Sequence, residues 1–450
     1  MNRRASVLIV LLTAAAAAMG LVLPGCAAVM GLKKKPAAFE NSGAAPARTP
    51  VYHLGGWTIA RATLHNHTIY SDGCYSTEDL LEFARQEGMA VLSFNDHREG
   101  KICAEGAGLC FKIGGVESVG YDVYFDHLRR IQETARDQGM IALKGIEVIP
   151  YMYNYGKLPA LVIDGAQEHF TVYGIEDAAV FNDMPVRNSV AVRPEAIPDE
   201  KPWQDFVDYI VEHGGIVDAV HLEDGADMWY GPAHGACPPP ADNLHRIKRL
   251  TGFSAMPSGW REKTGGPGGW WDTDLAEYMA ALRQAPVWAI ADTDYHCDQS
   301  MAIANTLLYM REFTEQEVLR CMREGRMVAL MGDAFQDSYV SEWWVSDGGM
   351  PEDPIMLGAT ATVKTAPTVR FALDHDVAGT RARLIRNGVV VMEQDGSELT
   401  FIDQDQGKNK EPAFYRVEVI GPRQSDPPYN PSDMRVSELF VNPIFVKFAR

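Results

Sequence analysis

Between residues 60 and 296, short apolar runs repeatedly end on, or within a few residues of, a histidine or a carboxylate. This pairing restricts the fold more than any other property of the chain. Residues 60–64 lead into His65 and His67, 89–94 into His97, 140–143 towards Glu147, 216–220 into His221, and 287–291 into Asp294 and His296. The stretches between them, at 76–87, 121–138, 203–213 and 274–284, have helical spacing, and Gly88, Gly139 and Gly214-Gly215 provide stops. Ser76 with Asp79 resembles a capping box, and Thr314 with Glu317 opens a later helix that ends at Gly325 before an apolar run at 327–331. Alternating apolar strands and helices predict an α/β fold with a parallel sheet buried on both faces. In a closed barrel of this kind the active site lies at the carboxyl ends of the strands, where five separate units place their histidines and acids.

Nine side chains form the candidate set: His65, His67, Asp72, His97, Glu147, His169, His221, Asp294 and His296. Imidazole and carboxylate together suit borderline divalent metals such as Zn, Mn or Fe. A carboxylate among so many imidazoles is suited to bridging two ions, which about 3.5–4 Å apart clamp the attacking and leaving oxygens of a hydrolytic displacement. The expected cofactors are therefore two or three divalent ions. His53, His127, His213, His234 and His245 fall outside the pattern, and His375 between two aspartates reads as a turn residue.

The ordered motifs resemble those of the PHP (polymerase and histidinol phosphatase) superfamily. His65-Asn66-His67 with Ser71-Asp72-Gly73 is similar to its first motif, and Asn95-Asp96-His97 to its second. Gly145-Ile146-Glu147 is similar to the third, followed by His169, the 214–221 stretch ending in His221, and Asp294-Tyr295-His296. The resemblance covers roughly residues 57–332. It implies a distorted seven-stranded (β/α) barrel with two or three metals. One ion would be held by His65, His67, Glu147 and Asp294, and a second by Glu147, His169 and His221. A third would use Asp72, His97 and His296. Asn95, Leu222 and Asp292 depart from the family pattern, where Thr, Pro and Gly are usual, and Asp292 would add negative charge near the site. The C-terminal part, ending Val441-Asn442-Pro443-Ile444, is similar to the β domain of exported, carbaryl-hydrolase-like PHP proteins.

The first 25 residues read as a lipoprotein signal peptide: Arg3 and Arg4, then an apolar segment, then Leu23-Pro24-Gly25-Cys26 with Cys26 as the lipidated residue. Ordinary signal cleavage and an uncleaved membrane anchor are the alternatives. Residues 26–50 read as a flexible tether, 51–332 as the metallohydrolase barrel, and 333–450 as a small antiparallel β-sandwich-like domain of short runs separated by turn residues. An exported, envelope-anchored protein permits disulfides. Among Cys74, Cys103, Cys110, Cys237, Cys297 and Cys321, Cys103 and Cys110 are the local pair. The net charge is −19, and no basic cluster follows the N-terminus, so nucleic acid is not an expected partner.

The expected reaction is hydrolysis by a hydroxide bound to the metals, with a small-molecule phosphoester as the leading substrate. Catalysis would fall to Asp294, which fixes and polarises the ions, and to His97 or His296 as proton donor. Arg98 and Arg261 are candidate phosphate helpers, Glu223 and Asp224 candidate partners of His221, and residues 225–272 with their tryptophans a candidate lid. The alternatives are carbamate, ester or amide hydrolysis on the same centre, and a non-catalytic metal- or ligand-binding envelope lipoprotein. Oligomeric state does not follow from the sequence.

Overall fold

The structure, a computed structural model, describes residues 50–104, 109–157, 160–193, 195–197, 199–230, 233–257, 263–297, 300–423 and 436–449. The expected signal segment and most of the expected tether lie outside the described residues. So do Trp260 and Arg261 and the side chains of Trp229 and Tyr230.

Seven strands lie side by side in chain order: β1 (Trp57–Thr63), β2 (Val91–Phe94), β3 (Ile141–Val148), β4 (His169–Tyr173), β5 (Ile216–Val220), β6 (Gly252–Met256) and β7 (Trp288–Ala291). β2, β3, β5, β6 and β7 are buried along their whole length, as their continuous apolar runs require. The segments beyond β1 and β7 meet through three backbone hydrogen bonds, Thr293 N to Leu64 O, Tyr295 N to His65 O and His67 N to Tyr295 O. Helices α1 (Thr77–Gln86), α2 (Tyr121–Asp137), α3 (Lys201–Glu212), α4 (Trp270–Met279) and α5 (Glu315–Glu324) contribute their apolar residues to the same core. Ser76 closes a capping box with Asp79, Thr314 accepts from Glu317 N, and Gly325 ends α5 in the left-handed conformation.

The sheet is mixed where the sequence predicts it parallel. β1–β2–β3 and β5–β6–β7 are parallel, but β4 runs antiparallel to both of its neighbours. The cause lies in the link from β3 to β4. It contains the hairpin strands Met152–Lys157 and Ala160–Asp164 instead of a helix, and without a helical crossover the chain returns in the opposite direction.

Those hairpin strands belong to a second, seven-stranded sheet that the sequence reading does not anticipate. Its order is Ala226–Tyr230, Ala233–Cys237, Ala160–Asp164, Met152–Lys157, Ser189–Val192, Lys101–Ala104, Leu109–Lys112. Segments that follow β2, β3, β4 and β5 supply it. The stretch 225–272 is therefore not one loop: it carries two of these strands, the core strand β6 and the start of α4. Trp271 is fully buried against Phe253 and Phe440, and Trp270 stacks on His245 at 4.7 Å, so both are packing residues.

On the other side of β1 the large sheet continues through β8 (Ala304–Met310), antiparallel to β1, and β9 (Met327–Met331) to the final strand, Val436–Phe448, and on to Ala413–Arg423, Arg381–Arg386 and Val389–Asp395. A separate three-stranded sheet of Val340–Ser346, Thr368–Leu373 and Glu398–Ile402 shares an apolar cluster with these strands. That cluster also contains Trp57, Ile59, Leu307 and Leu330 from the first part of the chain. Arg381–Arg386 and Val389–Asp395 form a hairpin turned at Asn387-Gly388. Both residues have positive φ, 49° and 82°, as a two-residue type I′ turn needs. Buried Arg416 clasps Asp272 of α4 through Nε and Nη2 at 2.6 and 2.7 Å and lies over the Trp271 ring at 4.5 Å. Among the described residues no helix is long and apolar enough to cross a membrane.

Candidate metal centre

All nine candidate residues converge at one end of the seven-strand run. Parallel strands bring their carboxyl ends there, and the reversed β4 brings its first residue, so His169 arrives beside Val220 at the end of β5. Three of the nine, His65, His221 and Asp294, sit just past a strand with positive φ of 62°, 58° and 44°. This conformation is strained for residues with a Cβ, and it turns their side chains out of the strand direction into the shared space. Gly73 lets the loop after β1 fold back on itself, since a Cβ there would lie 2.2 Å from His67 O.

Glu147 lies at the middle. Its Oε1 is 3.2 Å from His65 Nε2, 2.8 Å from His169 Nδ1 and 3.4 Å from His221 Nε2. Its Oε2 is 3.3 Å from His67 Nε2 and 2.8 Å from His97 Nδ1. Asp294 Oδ1 approaches His65 and His67 Nε2 at 3.3 and 3.1 Å. Asp72 Oδ2 approaches His296 Nε2 at 3.2 Å and His97 Nε2 at 3.7 Å. Donor atoms close enough to share an ion form four overlapping groups: His65–His67–Asp294, His65–Glu147–His221, His97–Glu147–His169 and His67–Asp72–His97–His296. Asp72, His97 and His296 fall in one group, which His67 joins, and His65, His67 and Asp294 in another, but His169 groups with His97 and Glu147 while His221 groups with His65 and Glu147, so the expected second set is split between two groups.

Hydrogen bonding decides which nitrogen faces inwards in four of the six imidazoles. His169 Nε2 meets Ala166 O at 3.0 Å, leaving Nδ1 for the centre. His296 Nδ1 meets Asp294 O at 2.9 Å, His65 Nδ1 meets Asp292 Oδ2 at 3.2 Å, and His67 Nδ1 meets Ser71 Oγ at 3.3 Å, leaving Nε2 in each case. This is how metal-binding imidazoles are oriented. The inward atoms His65 Nε2, His67 Nε2, His97 Nδ1, His296 Nε2 and Glu147 Oε2 are buried and make no well-formed hydrogen bond. A buried polar group in that state needs a partner, and a divalent ion is the partner this nitrogen and oxygen set suits.

The electrostatics agree. Burial opposes charge on every one of these groups, but the opposite charges around them prevail. Glu147, Asp294 and Asp72 are held well below the ordinary carboxylate range by the histidines. Next to Glu147 and Asp72, His97 is raised to about 10. His296, next to Asp294 and Asp72, is raised to about 9. Without an ion the centre retains protons, and an ion entering it must displace them.

Asp96 is a residue sequence reasoning missed. It accepts hydrogen bonds from Thr68 N (2.7 Å), Thr68 Oγ1 (2.8 Å), Ser71 Oγ (2.7 Å) and Tyr124 OH (3.0 Å), and so fixes the loop that carries His67 and Asp72. Its place beside His97 was the available signal. Asp224 lies 3.9 Å from His221 Nδ1, while Glu223 accepts from Thr264 N instead. Arg98 is a correction: its buried guanidinium is engaged by Glu99 at 3.1 Å and by Asn188, not directed at the centre. Cys74 and Cys297 form a disulfide, as do Cys103 and Cys110, while Cys237 and Cys321 are buried thiols.

No family model matches the chain, and no curated protein matches it. Among solved structures it is similar to a two-domain protein from Bacteroides vulgatus containing a predicted PHP-like metal-dependent phosphoesterase. That pair shares 14% identity at a TM-score of 0.37, over 83% of this chain and 95% of that one. It is also similar to a candidate metal-dependent phosphoesterase from Bifidobacterium adolescentis, at 13% identity and a TM-score of 0.27, over 52% of this chain and 87% of that one. A lesion-specific endonuclease from Pyrococcus furiosus matches at 10% identity and a TM-score of 0.31, over 59% of this chain and 56% of its own. Likeness at this level identifies neither a family nor an activity. The chemistry follows from the nine side chains themselves.

Proposed function

We propose that the chain is a metal-dependent hydrolase of phosphoesters, built on a seven-stranded PHP-type barrel of the exported, carbaryl-hydrolase-like branch. The observation that carries this reading is the position of Glu147, whose two oxygens face different histidines, as a carboxylate shared between ions must. His65, His67 and Asp294 would hold one ion with Glu147. His169 and His221 would hold the next, and Asp72, His97 and His296 a third. Bound there, divalent ions supply Lewis acidity towards a phosphoryl oxygen and acidify water.

The chain's own residues do the rest. Glu147 and the imidazoles of His65 and His67 form a fully buried floor, while Asp294 is about a third exposed at the mouth, where a substrate oxygen arrives. His97 and His296 are also partly open. Either of them, where it holds no ion, would be placed to deliver a proton to the leaving oxygen.

The test is metal analysis of the purified protein together with turnover of aryl phosphates and aryl carboxyl esters on one preparation. Two or more ions and faster phosphate cleavage are expected. Faster ester or carbamate cleavage would reassign the substrate, and no turnover on either class with metals loaded would favour a binding protein. We further propose, from Leu23-Pro24-Gly25-Cys26 alone, that the mature chain begins at an acylated Cys26 in the cell envelope. N-terminal mass spectrometry showing a free start elsewhere would refute it.

A further inference from the structure

We propose that Asp292 is a positioning residue for the metal centre, a buried carboxylate outside the nine that holds His65 in the one tautomer and orientation able to ligate. The inference rests on the metal-centre reading above and names a residue that reading does not use. Asp292 follows the end of β7 and is 2% exposed. Its Oδ2 lies 3.2 Å from His65 Nδ1, and its Oδ1 accepts from Ser254 Oγ of the neighbouring β6 at 2.9 Å. Its own N donates to Met256 O at 3.1 Å. Both carboxylate oxygens and the backbone are thus fixed, so the group cannot turn away from the imidazole.

Holding the proton on Nδ1 leaves the Nε2 lone pair facing Glu147 Oε1 at 3.2 Å and Asp294 Oδ1 at 3.3 Å. The other tautomer would point an N–H at that space and could not bind an ion. The other oriented imidazoles lean on other groups: His169 and His296 on backbone carbonyls, His67 on the Ser71 hydroxyl and on Asp72 Oδ1, both at 3.3 Å, and His221 on the half-exposed Asp224 at 3.9 Å, so Asp292 is the buried orienting carboxylate that lies outside the nine. A carboxylate behind a ligating imidazole raises its basicity as well as fixing it. His65 belongs to the groups with His67 and Asp294 and with Glu147 and His221, but not to the one around Asp72. The effect of Asp292 is therefore confined to part of the centre.

The test uses the full chain loaded with Co(II), with D292A, D292N and S254A. The readouts are metal stoichiometry, affinity by chelator competition, the visible spectrum of the bound Co(II), and the melting temperature of the metal-free protein. D292A is expected to weaken one ion by about 10–100-fold, to shift the Co(II) bands, and to leave the Asp72 group loaded and the metal-free protein folded with a cooperative melt. D292N, which keeps an acceptor and the volume, should recover part of that affinity, and S254A should show a smaller loss in the same direction. The proposal is overturned if D292A binds every ion as the wild type does with the same spectrum. It is also overturned if all ions are lost together with a fall in the metal-free melting temperature, which would mark a purely structural role. Wild-type protein that took up no metal would overturn the function itself, a result distinct from both.

Discussion

Asn442 and Ala289 exchange two hydrogen bonds as if they were paired residues of adjacent strands, although one partner is a side chain. Ala289 N donates to Asn442 Oδ1 at 2.9 Å, and Asn442 Nδ2 donates to Ala289 O at 3.0 Å. The same amide reaches Met327 O at 3.1 Å, and the Asn442 backbone carbonyl accepts from Trp343 Nε1 at 3.0 Å. One fully buried residue thus ties β7, which leads into Asp294, to β9 and to the smaller sheet. Asn442→Ala leaves a buried N–H and two carbonyls unpaired and is expected to cost about 2–4 kcal/mol of stability. Denaturant unfolding checks this, and a change under 1 kcal/mol would show that water replaces the amide.

Glu147→Gln keeps the shape of the central side chain and removes its charge. It is expected to lose at least one ion per chain and to slow phosphoester turnover by at least ~100-fold. Elemental analysis reads the first effect, and a variant with wild-type metal content would remove Glu147 from the bridging position.

The disulfide between Cys74 and Cys297 joins the loops carrying Asp72 and His296, which face each other at 3.2 Å, and Cys74 N donates to His296 O at 2.9 Å. Cys74→Ser with Cys297→Ser should weaken the ion held by Asp72, His97 and His296 by roughly tenfold. The ions sharing Glu147 should be unaffected. Chelator titration of the variant would show either one loosened site, as expected, or uniform binding, which would make the crosslink irrelevant to the centre.

Glu438 on the final strand is buried, and burial with repulsion from Glu418 pushes its carboxyl up to about 8. A raised carboxyl means that the folded protein keeps a proton the unfolded chain releases from about pH 4.5 upwards. Stability from this group is therefore full below that pH and is lost as pH rises to about 8. Glu438→Gln should gain about 4 kcal/mol over the wild type at pH 8 and nothing near pH 4.5. Equal melting temperatures at pH 8 would contradict the assignment.

Much of the site was legible in the sequence because each ligand follows an apolar run whose type is set locally. β5 and β9 have their expected bounds, and the caps at Ser76 and Thr314 form as written. The resemblance ordered the nine residues, and the fold brings them to one place. What was illegible depends on partners distant in sequence. Strands such as Met152–Lys157 and Ala233–Cys237 are short and rich in Gly and polar residues, and they acquire their pairing only from one another. The reversal of β4 follows from the absence of a crossover helix, which periodicity does not show. Arg98 looked like a substrate contact by adjacency to His97, yet its partner Glu99 is the very next residue. α4 begins at Trp270, earlier than expected, because the paired tryptophans read as loop aromatics when they are core.

The final strand, Val436–Phe448, pairs with β9 and supplies Asn442 to β7, so the element that completes the sheet beside the metal centre is synthesised after every residue that binds there. A chain emerging from the ribosome holds all nine centre residues while the neighbours of β9 on that side are still missing. Folding of the large sheet therefore waits on the emergence of residues 436–448 rather than on how fast the early strands pair. Nascent chains stalled before residue 436 should remain open to protease across β7 and β9, and a few dozen further residues should close both at once.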